Sequence, residues 1–391
     1  MFSRTIKPYL LRLSTQYPIV TMTGPRQSGK TTLCQATFPD HEYINLEALS
    51  VREFANLDPQ GFLSRIKAGV ILDEIQRTPN LASYIQPIVD SEKKPGRFIL
   101  TGSQQLEISQ TINQSLAGRT ALLKLLPLSY PELYAKHPAN NIGELLYAGF
   151  YPRIFDQHLN PSEALSFYLS TYVERDIRSL IHVKDLSTFE RFLKICATQI
   201  GQLLNYTTIA NDCGIDQKTV KSWLSVLEAS FILYQVQPHY QHFRKRLTKS
   251  TKLYFYDVGL AAYLLGISNS AHLLTNPAKG FLFENFIVTE FIKNRFNHVK
   301  DSNIYFYRDH AGNEVDIILD YGDELYSIEI KSSETINTEF FKGLHFYQNL
   351  AGTKNTRRFI VYAGTESYET NQIKIFSYQH FNQLFAEINE R

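Results

Sequence analysis

Residues Gly24-Pro25-Arg26-Gln27-Ser28-Gly29-Lys30-Thr31 meet the pattern GxxxxGK[ST], a spacing that points to phosphate chemistry. Glycines let the backbone wrap closely enough for its N–H groups to face an anion. Lys30 would reach the β and γ phosphates of ATP, the Thr31 hydroxyl would ligate Mg²⁺, and Thr32 leads onward into a helix. The preceding run 17–23 reads as a strand, so the dipole of the following helix adds to anion binding. A second run, Val70-Ile71-Leu72-Asp73-Glu74, is a buried strand ending in two carboxylates. Asp73 would hold Mg²⁺, and Glu74 would orient and deprotonate the attacking water. A third, Phe98-Ile99-Leu100-Thr101-Gly102-Ser103, ends in hydroxyls suited to sensing the γ-phosphate or the lytic water. The three in this order point to ATP binding and hydrolysis. Arg119, in Leu116-Ala117-Gly118-Arg119, is either a surface arginine or a finger offered to a neighbouring subunit, offsetting transition-state charge. Arg153 and Arg175 are lesser choices for that role.

A second group of carboxylates lies near the C-terminus. Glu314–Asp320 and Ser327–Lys331 both alternate with period two, and Gly322-Asp323 between them suits a type II′ hairpin turn. Across that turn Asp316 faces Glu329 and Glu314 faces Lys331, on one side of the sheet. Opposed carboxylates about 5 Å apart repel. A second Mg²⁺ or a Mn²⁺ between them would remove the penalty. Bridging by Lys331 or Arg308, giving a solvated face, would do so without a metal.

The elements that must position these groups are legible in the pattern. Up to about residue 135, short apolar runs alternate with helical segments, which predicts a mostly parallel α/β sheet. Its strands are read at Ile19–Thr23, Tyr43–Asn45, Val70–Asp73, Arg97–Thr101 and Ala121–Leu125. From Ile142 to Val236 the pattern is helical. Within it a short helix from Tyr206, a turn at Gly214-Ile215 and a helix capped by Asp216 match a helix-turn-helix unit. The second helix would present Gln217, Lys218 and Lys221 to DNA, with Trp223 and Leu224 inward. The basic run holding Arg244, Lys245 and Arg246 would act as a wing on phosphates, giving affinity for nucleic acid structure rather than sequence. Protein contacts alone are the other use of such a unit. The last third, from about Lys279, reads as helix, several strands, then helix, an α+β pattern.

The 391 residues suffice for two or three domains, and 43% hydrophobic content can fill their cores. A net charge of +2 carries no information about nucleic acid, so that case rests on local patches. Three scattered cysteines, Cys34, Cys196 and Cys213, form no CxxC pair, which argues against a disulfide framework or a zinc site. With no secretory h-region and no run near the ~18 apolar residues of a membrane span, the expectation is a cytoplasmic protein with no membrane contact.

The run from Gly24 to Thr32, Asp73-Glu74-Ile75-Gln76 and Leu100-Thr101-Gly102-Ser103 resemble a prokaryotic group of AAA+ ATPases. So do Tyr172-Val173-Glu174-Arg175-Asp176, Lys252-Leu253-Tyr254-Phe255-Tyr256-Asp257 and Gly280-Phe281-Leu282-Phe283-Glu284-Asn285, so the likeness spans the chain. The resemblance implies an α/β P-loop ATPase core of AAA+ type over 1–137. A helical lid and winged helix-turn-helix region would follow over 138–265, and an α+β, restriction-endonuclease-like PD-(D/E)XK domain over 266–391. It also implies a homo-oligomer such as a hexameric ring. Asp316, Glu329 and Lys331 match the Asp…Glu-x-Lys pattern of those nucleases, with Glu284 in the place of their helical acid. Two functions remain open: an ATP-driven enzyme acting on DNA, or a nucleotide-dependent switch whose C-terminal domain is an inert binding module.

Overall fold

The computed structural model describes residues 2–103, 115–134, 141–171, 186–239, 250–352 and 355–389. The chain divides into two compact units. The first comprises 1–128 with the short segments 229–231 and 295–300, and the second comprises 129–228, 232–294 and 301–391.

In the first unit, strands β1 (Ile19–Thr23), β2 (Glu42–Asn45), β3 (Val70–Asp73), β4 (Phe98–Gly102) and β5 (Thr120–Lys124) form one sheet in the order β2-β3-β4-β1-β5. Every pairing is parallel, and the strands lie within a residue or two of where the apolar runs placed them. β1, β3 and β4 are buried on both faces, which is why they read as continuous apolar runs, whereas the edge strand β2 is largely exposed. Successive residues feed two cores. Ile19, Val70, Leu72, Phe98 and Leu100 pack with Phe62, Leu81 and Ile85 on one face. Val20, Met22, Ile71 and Ile99 pack with helices α1 (Lys7–Ser14) and α2 (Lys30–Thr37) on the other, through Leu10, Leu13, Leu33 and Cys34. This stack fixes the C-terminal ends of β1, β3 and β4 side by side.

The second unit contains an eight-stranded sheet in the order β12-β13-β11-β10-β9-β8-β6-β7. Its strands are β6 (Leu233–Pro238), β7 (Lys252–Phe255), β8 (Ile304–Arg308), β9 (Glu314–Asp320), β10 (Glu324–Lys331), β11 (Asn355–Tyr362), β12 (Tyr368–Thr370) and β13 (Ile373–Ser377). The division expected at 265/266 falls inside this unit, because β6 pairs with both β7 and β8 and so ties the middle of the chain to the C-terminal strands. The β9–β10 hairpin turns at Gly322, whose φ of +89° is cheap only for glycine, and the Tyr321 N–H donates to the Glu324 carbonyl at 3.0 Å. The ladder then runs from Asp320–Leu325 to Ile317–Ile328, the register read from that turn. β10 and β11 are parallel, as a crossover connection requires, and the helix Lys342–Ala351 supplies it, burying Leu344 and Tyr347 in the core beneath. No helix among the described residues is long and apolar enough to cross a membrane.

Candidate functional site

The chain leaves β1 at Thr23 and enters the loop at Gly24, whose φ is +151°. A Cβ there would lie 2.0 Å from the Leu125 carbonyl oxygen, so the position accepts only glycine. Gly29, with φ of +90°, caps α2 without any side-chain hydrogen bond, leaving the helix N-terminus facing the loop. Lys30 is buried and donates to the loop's own carbonyls, Gly24 O at 2.9 Å and Pro25 O at 2.8 Å. Burial pushes its ammonium pKa down to about 8, against the pull of Glu74 and Asp73. Ser28 Oγ is buried without a hydrogen-bond partner. Arg26 and Gln27 lie within the loop, half-buried and exposed respectively, and Thr32 lies exposed on α2. From behind, Arg4 donates to Ser28 O at 2.8 Å and Leu126 O at 2.6 Å, pinning the loop to the end of β5. A self-bonded lysine, an uncapped helix start and a bare hydroxyl suit a polyphosphate. Those residues fit ATP.

Asp73 gathers three hydroxyls. Thr31 Oγ1 lies 3.0 and 3.2 Å from its two oxygens, Tyr43 donates to Oδ2 at 2.8 Å, and Thr101 donates to Oδ1. Thr31 and Asp73 thus lie adjacent across two elements, the pairing an ATP-bound Mg²⁺ needs. Glu74 sits just past the strand in the left-handed region, φ +59°, a strained setting for a glutamate. Its carboxylate accepts from Gln76 Nε2 and from Ser103 Oγ at 3.2 Å, and Gln76 also lies 3.4 Å from Ser103. Thr101 and Ser103 therefore serve different acids. Tyr43, Gln76 and Arg4 were not singled out from sequence. Gln76 alone had a signal, its place two residues beyond the acid pair.

Arg119 is not beside this cluster. It precedes β5 at the opposite end of the sheet, its carbonyl accepting from Ile19 N–H, and its guanidinium grips Asp90 at 2.6 and 2.8 Å. Arg153 is exposed and pairs with Gln157 at 3.0 Å, and Arg175 lies outside the described residues.

In the second unit, Asn205 caps the helix Tyr206–Cys213, and Gly214 ends it with φ of +71°. Asp216 then accepts from the Lys218 and Thr219 N–H groups to start the helix Gln217–Ala229. Trp223 and Leu224 are buried, Trp223 edge-on to Phe189 and Phe192, while Gln217, Lys218 and Lys221 are exposed. Gln217 also ties the two helices through Thr207 at 2.9 Å, and Lys221 lies 5.2 Å from the Tyr206 ring centre. Arg244, Lys245 and Arg246, with the resembling stretch 172–176, lie outside the described residues.

The carboxylates of that unit converge on a lysine. Lys252 Nζ lies 3.0 Å from Glu284, 2.5 Å from Glu314 and 3.9 Å from Asp316. Glu314 also meets Arg308 at 3.0 Å, and Glu329 pairs with Lys331 at 2.5 Å rather than with Lys252. The Asp316–Glu329 step of the ladder is replaced by a bond from the Ile330 N–H to Asp316 Oδ2 at 2.7 Å. Burial, then the Glu329 and Glu284 charges, hold the Asp316 carboxyl well above its ordinary range. Burial raises Glu329 too, against the pull of Lys331. Among the described residues no set of His, Cys, Asp or Glu side chains forms a metal-binding group. The Lys252 ammonium, closest to Glu284 and Glu314, lies beside the Asp316–Glu329 pair between which a second Mg²⁺ or Mn²⁺ was expected, so the cluster already carries a cation. From sequence, Lys252, at the head of an apolar strand, is named only within the resembling stretch Lys252–Asp257.

Fold and loop geometry define the class of the N-terminal region as a P-loop nucleotide-binding domain, and residues 16–134 match the family described as AAA domain. Residues 139–271 and 279–381 match two families described only as domains of unknown function, DUF8612 and DUF4143. An uncharacterized protein of Mycobacterium tuberculosis is 28% identical over 321 residues, covering 81% of this chain and 71% of that protein. One of Haemophilus influenzae is 23% identical over 390 residues, covering 91% of each. Among solved structures, a Walker-type ATPase of Pyrococcus abyssi overlaps with a TM-score of 0.43 at 16% identity, over 68% of this chain and 96% of that one. A RuvB of Thermotoga maritima overlaps with a TM-score of 0.30 at 14% identity, over 59% of this chain and 89% of that one.

Proposed function

We propose that the chain hydrolyses ATP and uses the cycle to act on DNA, as a motor or remodelling ATPase. The convergence of Thr31, Thr101 and Tyr43 on Asp73, beside Glu74 held by Gln76 and Ser103, carries the hydrolysis part of this reading. Lys30 and the loop amides bind the phosphates, and Thr31 and Asp73 hold Mg²⁺, which neutralises phosphate charge. Glu74 takes the proton of the attacking water. Gln76 and Ser103 keep its carboxylate aimed, and Thr101 and Tyr43 fix Asp73. Arg119 would reach a nucleotide only in a neighbouring copy of an oligomer, after leaving Asp90. DNA would meet the exposed face of Gln217, Lys218 and Lys221, with Arg244, Lys245 and Arg246 adding phosphate contacts. ATP turnover measured with duplex, forked and single-stranded DNA tests the reading. Several-fold stimulation supports it, and none with any of the three contradicts the DNA part.

For the second unit, the restriction-endonuclease-like reading is supported by Glu284, Asp316, Glu329 and Lys331 lying around one end of β7, β9 and β10. The ammonium among them favours the alternative: a nucleotide-driven switch whose nuclease-like unit is an inert module binding nucleic acid or protein. Cleavage of DNA or RNA with Mg²⁺ or Mn²⁺, lost in Asp316→Ala or Lys331→Ala, would instead establish an endonuclease.

A further inference from the structure

We infer that Lys252 is the resident cation of the carboxylate cluster, standing in place of a divalent metal and keeping this unit from cleaving phosphodiesters. The inference rests on the inert-module reading and names its physical cause. Lys252 is 1% exposed, and its backbone is fixed in β7 opposite Val236, with a further bridge to Leu203. The ammonium reaches Glu284, Glu314 and Asp316, carboxylates drawn from the helix Lys279–Asn297 and from β9, and lies 5.5 Å from the Phe306 ring centre.

Several of the remaining carboxylate oxygens are also taken. Tyr254, two residues along β7, donates to the same Glu284 oxygen at 2.7 Å. Arg308 holds the other oxygen of Glu314, and the Ile330 N–H holds Oδ2 of Asp316. A dication entering here would share these oxygens with the ammonium, like charge against like charge, or drive it toward Phe306 and the strand core. An unpaired buried ammonium is among the costlier things a fold can hold. Oδ1 of Asp316, 3.9 Å from the ammonium, and the buried Oε2 of Glu329, which has no hydrogen-bond partner, are the oxygens a metal would have to use, so they supply the controls.

The test uses the full chain without nucleotide, titrated with MnCl₂ while thermal unfolding and heat of binding are followed. Wild type and Asp316→Asn should give the same titration. Lys252→Met should gain a Mn²⁺-dependent rise in Tm that disappears in Lys252→Met/Asp316→Asn, because only then do the acids need an outside cation. A Mn²⁺ site in wild type that is lost in Asp316→Asn or Glu329→Gln overturns the inference, as does a folded Lys252→Met that gains no Mn²⁺ response. Should Lys252→Met not fold, the wild-type comparison with Asp316→Asn still decides. Gel shifts with DNA or RNA on the same preparations report the module's binding, so failure of that reading shows separately from a failure over the metal.

Discussion

At the scale of single residues, the nucleotide site turns on Lys30. Its ammonium is held by two carbonyls of its own loop and is pushed down to about 8 by burial. Without nucleotide it therefore loses its proton as pH rises through about 8, and bound phosphates restore that proton. Binding at about pH 8.5 should take up a fraction of a proton. Titration calorimetry in two buffers of different ionisation enthalpy reads this directly, and equal heats would contradict it. Lys30→Ala should weaken ATP binding by roughly 10- to 100-fold, the loss of a charge-assisted contact, with the melting curve little changed. Gln76→Ala should lower kcat while leaving ATP affinity within about twofold, since Gln76 holds Glu74 and not the phosphates. An equal fall in affinity would place Gln76 on the nucleotide instead. Residue types and spacing made Lys30, Thr31, Asp73 and Glu74 legible. Tyr43 and Arg4 were not, because each acts across a strand pairing or from the back of the loop, where only the fold sets the partner.

At the scale of elements, pattern and turn chemistry carried a long way. The five apolar runs became β1 to β5, and Gly322 fixed the β9–β10 register. What pattern could not show is which strand lies beside which. β7 sits at one end of the second sheet, linked by β6 to β8 and β9, and this order brings Lys252 to acids more than thirty residues away in sequence. Asp257 shows how such elements are locked. It caps the helix Val258–Leu264 through the Leu260 N–H at 2.9 Å and also accepts from the Phe150 N–H at 2.7 Å. Asp257→Ala removes the cap and strands a buried N–H, so it should destabilise the second unit by about 2–4 kcal/mol in urea unfolding. A loss below about 0.5 kcal/mol would show that water replaces the carboxylate.

At the scale of the whole molecule, a P-loop unit is joined in one chain to a unit with a helix-turn-helix pair and a lysine-filled acid cluster. Strand pairing between β6 and β8 crosses the break expected at 265/266. Composition, with a net charge of +2, could not have shown that Lys218 and Lys221 lie exposed on one helix. The most direct measurement of the central claim is phosphate release from ATP by wild type and Glu74→Gln, alongside nucleotide binding by both. Removing the group that takes the water's proton should slow turnover by roughly 100-fold or more while ATP still binds. Unchanged turnover in Glu74→Gln, or no ATP binding by wild type, would contradict the account.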